Sequence, residues 1–78
     1  MTNDEAKQRM DGLKQNGWTW ALISTATPNV VRIRLVGEYN ELIGKSIEAP
    51  TFDESLVAAE EFVKNTAFYD YAVNYPEW

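Results

Sequence analysis

Two runs of alternating side chains, Trp18 to Thr25 and Val30 to Gly37, meet at Thr27-Pro28-Asn29 and constrain the fold of this chain more than any other feature. In the second run Val31, Ile33 and Leu35 alternate with Arg32 and Arg34, which predicts a strand with one apolar face and one cationic face. In the first, Trp18, Trp20 and Leu22 alternate with Thr19, Ala21 and Ile23. A Pro-Asn break between two such runs predicts a hairpin connection. A two-stranded ribbon is marginally stable alone, so the rest of the chain has to cover its apolar face.

The flanking segments supply that cover. Thr2 and Glu5 have the spacing of a capping box, predicting a helix from Asn3 to Gln15 with Ala6, Met10 and Leu13 as its apolar stripe and Gly17 as its left-handed cap. Gly12 inside that helix costs about 1 kcal/mol relative to alanine, so the helix depends on docking. Beyond the hairpin, Glu38-Tyr39-Asn40-Glu41 predicts a tight connection, and Leu42 to Ala49 a third strand. Period two places Lys45 on the same face as Ile43 and Ile47. Either its stem lies at a wet edge of the core, or a bulge near Gly44 re-aims the chain; the bulge is the preferred expectation.

Pro50 ends that strand, and a second helix follows to about Asn65. It is capped either by Asp53, with a Phe52–Val57 staple, or by Thr51 with Glu54. Leu56, Ala59, Phe62 and Val63 form its buried stripe, and Glu60 and Lys64 are ordered for a supporting pair. Residues 66–78 hold Phe68, Tyr69, Tyr71, Tyr75 and Trp78, half of all the aromatic residues. Phe68, Tyr71, Ala72 and Tyr75 recur at helical spacing, predicting a short third helix ended by Pro76, with a fourth strand as the alternative. The expected architecture is therefore one α+β domain over residues 1–78, a three-stranded antiparallel sheet with helices on one face, in the order α-β-β-β-α-α.

What the chain lacks narrows its chemistry. It has no cysteine, which removes disulfides, thiolate nucleophiles and Cys-based zinc sites, and no histidine, the commonest general base and neutral metal ligand. Gly12, Gly17, Gly37 and Gly44 are isolated and make no phosphate-binding loop. An enzyme is not expected, nor a cofactor or metal. No long apolar run suggests a membrane span, and the first residues lack a cationic start followed by an apolar stretch, so a cytoplasmic protein is expected. Seven basic against twelve acidic side chains give a net charge of -5. That balance opposes binding to phosphate backbones and favours a protein partner with a basic surface.

The order of the first five elements resembles the double-stranded-RNA-binding domain. That family opens its last helix with a basic cluster that grips phosphates; the corresponding stretch here is Asp53-Glu54-Ser55, without lysine, so no RNA-contacting residue carries over. In size, charge and element order the chain is also similar to phage-encoded anti-CRISPR inhibitors. That likeness implies carboxylates presented where nucleic-acid phosphates would lie.

Two groups of residues are the candidate docking features: the acids around the third strand, Glu38, Glu41 and Glu48, and the aromatic tail, Tyr69, Tyr71, Tyr75 and Trp78. The tail holds more large rings than one short helix can bury, and tyrosine and tryptophan are favoured at interface centres. The plainer readings are a solvated acidic face and a tail wrapped over the sheet. Arg32 and Arg34 are expected to pair with carboxylates of neighbouring strands. The functional expectation is a small acidic module that inhibits or regulates a larger partner by occupying a cationic nucleic-acid-binding site. A self-associating accessory protein, with Tyr71, Tyr75 and Trp78 meeting across a homodimer, is the alternative. Single-stranded nucleic-acid binding through Trp18, Trp20, Arg32 and Arg34 is a weaker third.

Overall fold

The computed structural model describes residues 2–75. Helix α1 (Asn3–Asp11) opens where the Thr2 hydroxyl accepts the Glu5 backbone N–H at 3.2 Å. It ends four residues before the expected Gln15, because Gly12 serves as its C-cap rather than as an interior residue. The chain then tightens through Leu13 N–H to Met10 O and Lys14 N–H to Asp11 O. Left-handed backbone falls at Asn16 (φ 54°) and Gly17 (φ 83°), in the turn that enters the sheet.

Strands β1 (Trp18–Thr27), β2 (Val30–Gly37) and β3 (Gly44–Ala49) form an antiparallel sheet in chain order, followed by α2 (Phe52–Asn65) and α3 (Phe68–Val73). Thr27 pairs with Val30 across Pro28-Asn29, the expected hairpin. Residues 68–73 are helical, so the fourth-strand alternative is not realised.

The alternation in β1 does not run through. Trp20 pairs with Leu35 but Leu22 pairs with Arg34, leaving Ala21 as the extra residue of a bulge. The bulge reverses parity, so Leu22 departs from the tryptophan face and Ile23, opposite Ile33, joins it. In β3 the expected bulge near Gly44 is absent, since pairing with β2 is continuous from Val31–Ala49 to Val36–Gly44. Lys45 therefore sits opposite Leu35 on the covered face, half-buried, with Nζ 5.6 Å from the Phe62 ring centroid. A cation over an aromatic face is attracted by the ring quadrupole, which holds the lysine without a bulge.

The core lies between one sheet face and the helices. Trp18, Ile33, Leu35 and Ile47 meet Met10, Leu13, Leu56, Ala59 and Val63 there. Thr51 caps α2 by accepting the Glu54 N–H, which decides against Asp53 as the cap, and Val57 is exposed rather than stapled to Phe52. Ser55 is fully buried and donates from Oγ to Ile47 O at 3.1 Å, tying α2 to β3. Glu60 turns to Arg9 of α1 at 2.7 Å instead of to Lys64.

Candidate interaction surface

The sheet's uncovered face and the connection from β2 to β3 are the places where side chains are not used by the core. The connection is well fixed. Glu38 N–H donates to Gly17 O at 2.7 Å, Asn40 N–H to Gly37 O at 3.3 Å, and Leu42 N–H to the Asn40 side-chain oxygen at 3.1 Å. Gly37 N–H reaches Ile43 O, and Ile43 returns to the interior. Between those anchors Tyr39 is 94% exposed and Leu42 is 87% exposed, flanked by the exposed Glu38 and Glu41. Neither carboxylate has an ion-pair partner among the described residues.

Tyr69 belongs to the same end of the molecule. The Asn16-Gly17 turn accepts Phe68 N–H on one carbonyl and Glu38 N–H on the next, so the start of α3 and the acidic loop hang from adjoining peptide groups. Tyr69 is 74% exposed there. Of the seven residues expected to dock, the fold leaves Glu38, Glu41 and Tyr69 exposed and outside the core. Glu48 lies near the other end of β3, where its carboxylate accepts from Arg32 Nε at 2.8 Å, as expected of that arginine.

The other tail rings serve the monomer. Tyr71 stands 5.3 Å from Trp18 and 5.9 Å from Phe62, and its hydroxyl donates to Gly44 O at 3.1 Å. Phe68 meets Trp18 edge-on at 5.1 Å. Each such pair adds about 0.5–1.5 kcal/mol beyond its burial, so a short helix with no side-chain cap stays docked. Tyr75 is half-buried against Tyr71 at 5.6 Å, and Trp78 lies outside the described residues.

Trp18 is fully buried, and its indole N–H donates to Thr66 O at 2.8 Å. Trp20 shares its face, whereas Arg32 and Arg34 project from the opposite one. The combination of stacking rings and cations needed for single-stranded nucleic acid is therefore divided between two faces. A groove of about 410 Å³ runs between α1, β1 and the start of α2, lined by Ala6, Met10, Trp20, Ile23 and Phe52 among others. The Trp20 indole N–H beneath it is buried without an acceptor among the described residues. Among the described residues no group of three or more acidic, cysteine or histidine side chains could hold a metal ion.

Sequence reasoning singled out neither Tyr39 nor Leu42 as a docking residue. The signal was present: both are large apolar-bodied residues in a short polar connection, Tyr39 between two acids and Leu42 directly after one. No protein-family model, curated protein or solved structure matches this chain.

Proposed function

We propose that this chain is a small acidic protein-binding module that docks on a basic surface of a larger partner and inhibits or regulates it. In its sharpest form it occupies a cation-lined nucleic-acid site, as the likeness to anti-CRISPR inhibitors implies. The observation that carries the reading is the Glu38–Leu42 loop, where a nearly fully exposed tyrosine and leucine alternate with two carboxylates that have no ion-pair partner among the described residues, on a backbone already fixed at both ends. Aromatic anchors at a preorganised site lose little entropy on binding, and the surrounding carboxylates steer a basic partner into register. The net charge of -5 acts in the same direction.

The test uses the full chain immobilised against a lysate of its source, with Tyr39→Ser/Leu42→Ser and Glu38→Lys/Glu41→Lys as paired variants. Capture of a basic protein that falls at least about tenfold with either variant, and that double-stranded DNA competes away, supports the reading. Equal capture by variants that keep the native circular-dichroism spectrum removes it. A second reading, self-association, is favoured by Tyr69 and Val73, which are both exposed one helical turn apart on α3. It expects a concentration-dependent sedimentation coefficient that Tyr69→Ser/Val73→Ser abolishes.

A further inference from the structure

We infer that the uncovered face of the sheet carries a second docking seat, centred on Arg34, which accepts a carboxylate from a protein partner. Of the three arginines, Arg9 and Arg32 each meet a glutamate, at 2.7 and 2.8 Å. Arg34 meets no carboxylate and no other acceptor among the described residues, contrary to the expectation that both strand arginines pair with neighbouring acids.

This guanidinium packs against the sheet. It lies diagonally across the ladder beside Gly44, where a Cβ would stand 2.6 Å from Leu35 O, 3.0 Å from Val36 Cγ1 and 3.1 Å from Arg34 Nη2. The guanidinium packs over the glycine, next to a valine that is buried even though it faces away from the helices. Arg34 itself is half-buried. A partly desolvated fork of five N–H donors with no internal acceptor complements a carboxylate, which it can bind with two parallel hydrogen bonds.

The neighbours define what accompanies the anion. Leu22, 56% exposed, is the cross-strand partner of Arg34 on one side, and the exposed Ser46 is its partner on the other. An acidic side chain beside an aliphatic one, on a short peptide segment, matches that row. A phosphate backbone does not. The adjacent row holds Arg32 already neutralised by an exposed Glu48, the whole chain carries -5, and polyphosphate binding needs cations in series. The seat uses none of the residues of the acidic loop and stands or falls apart from it.

The experiment titrates the full-length, nitrogen-15-labelled chain and follows the Arg34 side-chain Nε–H resonance. The probes are N-acetyl-Leu-Glu-Leu amide, its Leu-Gln-Leu counterpart and octathymidylate. The expected result is a saturable Arg34 shift with the glutamate peptide, at a dissociation constant at least about fivefold below that of the glutamine peptide, because a charged acceptor strengthens the bonds. Arg34→Met should abolish the response while keeping the thermal midpoint within about 2 °C, since methionine retains the hydrocarbon cover over Val36. Arg34→Gln takes its place should the methionine variant melt earlier, and Arg34→Lys should bind more weakly than the parent. Equal affinity for the two peptides, saturation by octathymidylate at lower concentration, an undiminished response in the variants or no Arg34 shift at all each overturn the assignment.

Discussion

Replacing Gly37 by alanine tests the packing of the C-terminal helix most sharply. A Cβ on Gly37 would lie 2.3 Å from Phe68 Cζ and 2.7 Å from both ring carbons beside it. Contacts between carbons are optimal near 3.5–4.0 Å, so the ring must retreat by roughly 1.5 Å. It then gives up its edge contact with Trp18, about 0.5–1.5 kcal/mol, on top of the roughly 1–3 kcal/mol typical of forcing atoms into a filled site. A loss of about 2–3 kcal/mol follows, against a total stability of about 4–12 kcal/mol for a chain this long. Urea unfolding followed by tryptophan fluorescence should register it, with a fall in melting temperature of about 10–20 °C. The decisive measurement repeats the substitution in a Phe68→Ala background. There the clash has no partner, and alanine is the better strand residue by about 0.5–1 kcal/mol, so the sign should reverse. An equal loss in both backgrounds would show that Gly37 is required for some reason other than the close approach of the ring.

Three further outcomes are expected. Ser55→Ala should cost about 1–2 kcal/mol in urea unfolding, since it removes the buried hydroxyl bonded to Ile47 O. Thr51→Ala should cost about 1 kcal/mol and Thr51→Ser far less, with Asp53→Ala below Thr51→Ala, because the hydroxyl of Thr51 and not the Asp53 carboxylate accepts the first-turn N–H. A double-mutant cycle on Arg9 and Glu60, both more than a third exposed, should return about 0.2–1 kcal/mol, shrinking in 1 M salt.

Most of the architecture was readable in the residues, for local reasons. Capping residues at Thr2 and Thr51, the Pro28-Asn29 turn, and the helical spacing of Phe68 and Tyr71 each express a preference that tertiary contacts reinforced. The errors arose where a distant contact outvoted the local pattern. Lys45 needed no bulge because Phe62, seventeen residues later in α2, offered its ring. Glu60 left its helical neighbour for Arg9 because α1 docks beside it. The candidate surface was only partly readable. The backbones of Glu38 and Phe68 hang from adjoining carbonyls of the Asn16-Gly17 turn, which periodicity does not reveal. Tyr71 looked surplus because nothing local says that α3 sets its ring 5.3 Å from that of Trp18.

Ala21 is a spare link in β1: the pairs on either side of it, Trp20–Leu35 and Leu22–Arg34, are already consecutive on the partner strand. Removing it would leave every cross-strand assignment of that region in place while straightening the first half of the strand, with the second register shift between Ser24 and Thr27 still in place, so a foreign strand could zip onto a longer regular stretch of the outer margin. On this view the extra alanine guards the chain against sheet extension, discouraging copies that meet edge to edge from joining into a fibre.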